Sequence, residues 1–236
     1  MLRWHLISLR LWVSVTIAIQ VLSGVGMVYG IGLLAHHLSH TGELYATTGP
    51  AAVALLLVGA IFGPQIVAQQ KIDGSYQYLL TLPVPRSATA LAWYVVTLAI
   101  GLPAAAAALA AGVLRFGVSL SLSAELLPAV LLGCLATTML GYAIAHAISK
   151  PMITIVVAEL IVFFPFGFAP FNFPASQMPA WLVDVNHFLP FLPMATVIRA
   201  GLTHGITTDV GLSYLALAVW AVAMTAATLA VLRRRG

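Results

Sequence analysis

Residues 49–69 read Gly-Pro-Ala-Ala-Val-Ala-Leu-Leu-Leu-Val-Gly-Ala-Ile-Phe-Gly-Pro-Gln-Ile-Val-Ala-Gln and contain no charged side chain. A helix needs about 20 mainly apolar residues to cross the ~30 Å hydrocarbon layer of a bilayer. Five further stretches have a similar length and character: about 13–35, 88–113, 126–148, 152–170 and 211–232. The alternation typical of a β-barrel is absent. We therefore predict an all-α, polytopic membrane protein with six transmembrane helices.

The composition of the whole chain agrees with this class. Of its 236 residues, 61% are hydrophobic and only 7% are charged, whereas a soluble domain is nearer half apolar and a quarter charged. So little polar surface could not cover a globule of this size in water. This excludes a soluble enzyme, a disordered chain and a nucleic-acid-binding module.

The basic residues predict the orientation, because cytoplasmic loops are enriched in Lys and Arg. If the N-terminus lies inside, most of the 10 basic residues fall on the cytoplasmic side: Arg3, Arg10, Lys71, Arg86, Lys150, Arg233, Arg234 and Arg235. Arg115 and Arg199 fall outside. We expect both termini to be cytoplasmic, and the net charge of +4 to reflect anchoring rather than nucleic-acid binding.

Two segments on the cytoplasmic side are informative. Residues 1–12 place Arg3 and Arg10 on one helical face, with tryptophans able to sit at the headgroups, which predicts an amphipathic helix on the inner surface. Residues 70–87 form the longest cytoplasmic connection. They predict a helix from Asp73 to Leu82 that ends at prolines. This helix is either a docking element for a partner or a simple interfacial connection.

The segment 164–204 is predicted to lie outside, yet it is apolar, aromatic and interrupted by prolines. It is too broken for a regular span and too hydrophobic for a free loop. We expect short broken helices that re-enter the outer leaflet and form an outer lid, because irregular backbone at that depth must be buried in protein or line a cavity. The alternative is an aromatic interfacial belt without a gating role.

A few polar residues within this apolar chain carry chemical hypotheses. Glu159 lies deep in the fifth span, where a carboxylate is costly, so we expect it in the translocation path or a subunit interface. Arg199, at the outer boundary, is expected to bond to lid carbonyls or to lipid phosphate. His146 is expected to be a hydrogen-bonded structural residue. The histidines at 36, 37 and 40 are interpreted as a polar loop rather than a metal site.

Two motifs, in this order, resemble the type-2 ABC-transporter permeases, which are membrane subunits of many bacterial exporters. That family has an acidic-Gly-Thr/Ser element, Leu-Leu, a proline and an Arg between spans two and three; the matching residues here are Asp73, Gly74, Ser75, Leu79, Leu80, Pro83 and Arg86. Before the last span it has Phe-Pro, Met-Pro-x-Trp-Leu, a proline and an Arg; here these are Phe173, Pro174, Met178, Pro179, Trp181, Leu182, Pro190 and Arg199. The six-span layout covers the whole chain, so 1–236 resembles a single type-2 ABC transmembrane domain.

This resemblance implies the permease subunit of an ATP-driven exporter in the bacterial inner membrane. Two such halves, identical or paralogous, would form the pathway, and two copies of a separate ABC ATPase would bind beneath it. ATP and Mg²⁺ would be held by the ATPase, and this chain would have no catalytic site, cofactor or metal of its own. The 73–82 helix would be the coupling helix, with Tyr76 and Tyr78 against the ATPase, and residues 1–12 would be the connecting helix beside it.

The few charges and the aromatic lid predict a hydrophobic or amphipathic substrate: a drug, an antibiotic, a peptide or a lipid-linked molecule. The rival interpretations are an intramembrane enzyme and a non-transporting anchor or haem subunit. The motifs of a metalloprotease and of a P-loop are absent from the sequence. A haem subunit would need paired histidines within its spans.

Overall fold

The computed structural model describes residues 10–35, 37–81 and 84–234. All regular structure in these ranges is helical: α1 (Arg10–Leu34), α2 (His40–Leu57), α3 (Gly63–Ile72), α4 (Ser75–Thr81), α5 (Arg86–Phe116), α6 (Leu126–Ala147), α7 (Pro151–Phe168), α8 (Ala180–Phe188), α9 (Phe191–Leu202) and α10 (Val210–Arg234). A π-helix, Val58–Phe62, joins α2 to α3. A single 3-10 turn spans Ala175–Gln177.

Six segments are long and apolar enough to cross a membrane: Val13–Leu34, His40–Ile72, Ser87–Phe116, Leu126–Ala147, Pro151–Phe168 and Val210–Leu232. The predicted fold class is therefore confirmed, and most boundaries lie within a few residues of those expected. The second span differs most, because it begins at His40 rather than near residue 49. The Ser39 hydroxyl caps this helix by accepting a hydrogen bond from the Gly42 amide at 3.2 Å.

The first turns of α2 contain polar residues, so a search for apolar stretches places the start of this span too late. The Thr47 hydroxyl donates to the Glu43 carbonyl at 2.8 Å, and the Thr48 hydroxyl donates to the Leu44 carbonyl at 2.7 Å. These bonds satisfy the hydroxyls within the helix. His40, which the sequence predicts to lie in a polar loop, is instead the first residue of α2, and Glu43 lies in the same first turn.

The two ends of the bundle are distinct. At one end, which we call the α4 end, residues from the beginning of α1 and the end of α10 pack with Tyr76 of α4 in one apolar cluster, for example Val13 and Leu232. At the other end, which we call the lid end, the Tyr214 hydroxyl of α10 donates to the Glu125 carbonyl before α6 at 2.6 Å. Helix α7 ends and α10 begins at the lid end. Residues 169–209, which connect them and which we call the lid segment, therefore begin and end on the same side of the bundle.

That segment contains the expected broken helices. Helices α8 and α9 are separated by only two residues and bend by 84° relative to each other. Backbone bonds from Ser121 and Ser123 to the carbonyls of Leu202 and Gly201 tie the end of α9 to the loop before α6. Pro165 does not break α7, which continues for three more residues to Phe168.

Small residues determine how closely the spans pack, as expected for helices in lipid. A Cβ atom on Gly24 of α1 would lie 3.1 Å from the Ala108 side chain of α5. A Cβ atom on Gly141 of α6 would lie 2.6 Å from the Gly59 carbonyl of the π-helix. The Ala-rich stretch of α5 therefore serves packing, with Ala104 and Ala108 fully buried.

Candidate functional site

The short helix expected in the connection between spans two and three is present as α4, but it begins at Ser75. Asp73 closes α3 instead: its amide donates to the Gln69 carbonyl at 2.9 Å, and its carboxylate accepts from the Gln69 side chain at 2.8 Å. Gly74 has a φ of +74°. Because only glycine adopts this conformation freely, it allows the chain to turn sharply from α3 into α4.

Helix α4 has one buried face and one exposed face. The Tyr76 side chain is buried, whereas Tyr78 is 65% exposed. The Tyr76 hydroxyl oxygen lies 2.7 Å from Nδ1 of His146 in α6. The His146 ring meets the Tyr142 ring edge-on, with 4.2 Å between the ring centroids. His146 is thus a buried, hydrogen-bonded residue that ties α4 to the fourth span.

Lys71 reinforces the same junction from α3. Its ammonium group donates to two carbonyls at the end of α6, those of Ala145 and Ile148, at 2.5 and 2.6 Å. A cation at this position also complements the negative end of a helix dipole. The nitrogen lies 5.1 Å from the centroid of the Tyr76 ring. We call Lys71, Tyr76, Tyr142 and His146 the α4 anchor, because they join α3, α4 and α6.

A second polar cluster lies at the lid end around Arg199, which is 2% exposed. Its Nη2 donates to the Phe171 carbonyl at 2.6 Å, and its Nε donates to the Thr48 hydroxyl at 3.1 Å. Its guanidinium carbon lies 3.7 Å from the centroid of the Tyr45 ring. Arg199 therefore does bond to a carbonyl of the lid segment, and it joins α9 to α2. We call Arg199, Tyr45, Thr48 and Phe171 the lid cluster.

Two further residues fix the lid segment. A Cβ atom on Gly49 would clash with the Phe171 carbonyl and would lie 2.5 Å from the Asn172 side-chain oxygen, so only glycine allows this approach. The Asn186 side chain, in α8, is buried and donates to the carbonyls of Phe168 and Leu182 at 2.6 and 2.9 Å. Asn186 thereby ties α8 to the end of α7.

The other residues expected in the lid are more exposed than Arg199 and Phe171. Phe173, Pro174 and Met178 are partly buried, and Pro179 is the exposed residue that precedes α8. Trp181 and Phe188 are 64% and 80% exposed on α8. Helix α8 therefore exposes aromatic side chains, as is typical of residues at a membrane interface.

Glu159 lies apart from both clusters. It is partly exposed in α7, among the exposed apolar side chains of Val156, Leu160 and Phe163. Within the described part of the chain, no basic side chain forms an ion pair with it.

The remaining predicted sites are only partly described. Among the described residues, no group of three or more His, Cys, Asp and Glu side chains is arranged to hold a metal. His36, Leu82 and Pro83, together with residues 1–9 of the predicted amphipathic segment, lie outside the described residues. Leu80 lies in α4 and Arg86 begins α5.

Sequence reasoning missed several members of both clusters. Tyr45, Thr48 and Phe171 are unremarkable in the sequence, and Lys71 indicates only the orientation of the chain. Asn186 carried a usable signal, since an amide within an apolar segment must find hydrogen-bond partners when buried.

The comparison with protein families supports the resemblance seen in the motifs. The family model described as ABC-2 family transporter protein matches residues 37–230, which include α2 to α9 and most of α10. Among curated proteins, none matches the sequence significantly. The family consists of transport subunits rather than enzymes, and membership implies association with an ABC ATPase. The chain therefore belongs to the ABC-2 family of transporter proteins, as a multi-pass membrane subunit of an ABC transporter.

Proposed function

We propose that this chain is the permease of an ATP-driven exporter and that α4 is its coupling helix, seated on a separate ABC ATPase. The observation that carries this proposal is the two-faced character of α4. Its outer side chains, Gln77, Tyr78 and Thr81, are exposed. Its inner side chain, Tyr76, is bonded to the fourth span. A helix with one exposed face and one face bonded to a membrane span is suited to bind a partner protein at the membrane surface.

The α4 anchor would carry the movement of the ATPase into the membrane. A displacement of α4 acts on α6 through the Tyr76–His146 bond, and a displacement of α3 acts on α6 through Lys71. Nucleotide would shift a two-state equilibrium of the permease through differential contacts at α4. Asp73, Gly74 and Ser75 would set the entry to the helix. Tyr76 would position α4 from inside, while Tyr78 contacts the ATPase.

The family motif indicates which other residues near α4 would contact the ATPase. Leu79, Leu80, Pro83 and Arg86 stand at the motif positions, and Leu79 is partly buried on α4. Six basic residues lie in or next to the described helix ends at the α4 end and favour a cytoplasmic location for this end: Arg10, Lys71, Arg86, Lys150, Arg233 and Arg234. We accordingly place α4 and both termini in the cytoplasm of a bacterial inner membrane. Two ATPase subunits, which bind ATP and Mg²⁺, would dock there.

Pairing with a second permease half, identical or paralogous, would complete the pathway. Glu159 supports this part of the proposal, because a carboxylate among lipid-facing side chains is expensive and requires a polar partner. The described residues of this chain supply no ion pair for it. We place Glu159 at the interface with the second half or in the pathway between the halves.

The proposed substrate is a hydrophobic or amphipathic molecule, such as a drug, an antibiotic, a peptide or a lipid-linked compound. The described spans contain few charged side chains, so they offer little to solvate an ion. The lid, with Phe173, Pro174, Met178, Pro179 and Trp181, would cover the outer exit. Arg199 would hold it to α2.

The experiment compares two single variants, each in the full chain purified from its native membrane. Tyr78→Glu places a charge on the exposed face of α4, and Phe188→Glu places the same charge on an exposed aromatic residue at the lid end. We expect Tyr78→Glu to reduce the co-purified ATPase at least about tenfold, as loss of a central aromatic contact costs more than 1.4 kcal/mol. Phe188→Glu should retain it. Equal recovery of the ATPase with both variants would contradict the coupling role of α4.

A further inference from the structure

We propose that a cavity beside Arg199 binds a single anionic head group, phosphate or carboxylate, carried on an apolar body. The cavity measures about 540 Å³ and lies between α8, α9 and the beginning of α10. Arg199 lines it together with His187 and the hydroxyl-bearing residues Tyr45, Thr196, Thr207, Thr208 and Ser213. Its remaining wall is largely apolar and includes Val183, Leu192 and Leu212.

Arg199 carries a buried positive charge next to this cavity. The side chain is 2% exposed, and its contacts are with neutral groups: the Thr48 hydroxyl, the Phe171 carbonyl and the Tyr45 ring. Within the described residues, no carboxylate forms an ion pair with it. Removing a cation from water is costly, and neutral hydrogen-bond partners and an aromatic ring offset only part of that cost. Since guanidinium carries five N–H donors in a planar fork, an oxyanion in the adjoining cavity is the natural complement.

The polar and apolar side chains of the cavity suit an amphiphilic ligand. Arg199 and the hydroxyls that line the cavity can bind a head group, whereas the apolar part of the wall can cover several methylene groups. Asp209 also lines the cavity, but it is exposed to solvent and has no ion pair with Arg199 in the described structure. Its carboxylate disfavours an anion modestly, because water screens an exposed charge.

Two sources can supply such a head group at the lid end. One is an anionic membrane lipid, and the other is an anionic, amphiphilic cargo. The second source would specify the substrate class of the proposed exporter, so only that assignment rests on the proposed function. Binding of the head group itself depends on Arg199 and the cavity alone.

The test measures ligand-dependent thermal unfolding of the full chain in a neutral alkyl maltoside. The probes are decyl phosphate and decanoate, with decyltrimethylammonium as the cationic control. A ligand that binds only the folded protein raises its unfolding temperature in a saturable manner. We expect both anionic probes, and not the cationic probe, to do so. Equal stabilisation by all three probes would overturn the proposal.

Three variants locate the binding. Arg199→Gln should weaken the affinity for decyl phosphate at least about tenfold, since it removes a charge-assisted, buried contact. Ala216→Phe fills the cavity from α10 and leaves all four residues of the lid cluster in the sequence. It should have the same effect, which covers the case that Arg199→Gln does not fold. Asp209→Asn should bind at least as tightly as the natural chain. Asn tolerates the positive φ of 55° at this position. Unchanged affinity in Ala216→Phe would overturn the proposal.

The two sources are distinguished by the lipids that remain bound after purification. Mass spectrometry of the natural chain and of Ala216→Phe, each extracted from the same membrane, compares their anionic lipid content. Loss of a bound anionic lipid from Ala216→Phe assigns the site to lipid. Probe binding without any such lipid assigns it to an anionic cargo. If that assignment fails while the ATPase still co-purifies, the proposed exporter function stands and the cargo class alone is wrong.

Discussion

Gly49 is the residue whose replacement best tests the contact between α2 and the lid. A Cβ atom there would clash with the Phe171 carbonyl, and backbone cannot move aside as a flexible side chain can. Gly49→Ala should therefore displace the residues before α8 and lower the unfolding free energy by on the order of 1–3 kcal/mol. Thermal unfolding in detergent measures this loss.

Gly167→Ala is the matched control, since a Cβ atom at Gly167 in α7 would have no neighbour within 4 Å. It should leave the stability unchanged or slightly raised, because alanine favours a helix over glycine. Equal stability of the two variants would show that the lid segment is not held against Gly49.

At the scale of residues, sequence reasoning identifies chemical character better than partners. Arg199 was expected to bond to lid carbonyls, and the structure confirms a bond to the Phe171 carbonyl. Its other partner, Thr48, lies 151 residues away in the chain. No local pattern specifies such a pair, because it depends on how α9 packs against α2. Similarly, Tyr76 and Tyr78 look alike in the sequence, yet α4 turns one inward and the other outward.

The second span illustrates the same limit at the scale of elements. Its apolar run predicts a continuous helix, but the structure contains a π-helix at Val58–Phe62. Pro64 explains this feature. In an α-helix, a proline lacks the amide that would bond to the carbonyl four residues earlier, and its ring collides with that carbonyl. The wider turn relieves the collision at Ala60, and such π-turns are frequently found at functional sites.

Pro64→Ala should therefore affect the unfolding temperature of the chain and the stimulation of the partner ATPase in different ways. Removal of the proline permits a regular α-helix, so we expect the unfolding temperature to stay the same or rise. It also changes the rotation of α3 and α4 relative to α2, so we expect stimulation of the partner ATPase to fall severalfold. The measurements are thermal unfolding of the chain and ATP hydrolysis by the reconstituted complex.

Pro103→Ala is the control for this prediction, because Pro103 also lies within a helix, α5, but is exposed and distant from α4 in sequence. It should share any gain in stability without loss of stimulation. If Pro64→Ala retains full stimulation, the π-helix does not set the position of the coupling helix.

At the scale of the whole molecule, burial is unevenly distributed among the spans. The apolar window of His40–Ile72 is 78% buried, whereas those of Val13–Leu34, Pro151–Phe168 and Val210–Leu232 are 17%, 22% and 22% buried. The sequence predicted all six spans but not this ranking, because every span is similarly apolar. Hydropathy reports that a helix avoids water, not whether its neighbour is lipid or protein. The peripheral spans are therefore the ones able to face a second permease half.

Among these peripheral spans, α7 is the one that carries Glu159, so we expect α7 to contact the second permease half. Phe163 lies one turn from Glu159 and is 69% exposed, while Val222 of α10 is 71% exposed. If α7 faces the second half, Phe163→Cys should form a cross-linked species in native membranes, and Val222→Cys should not. Cys134, the one natural cysteine, is buried and should not react. A cross-link between identical chains indicates a homodimer, and one to a different chain identifies a paralogous half. Cross-linking through Val222 alone would move the interface to α10 and leave Glu159 to another role.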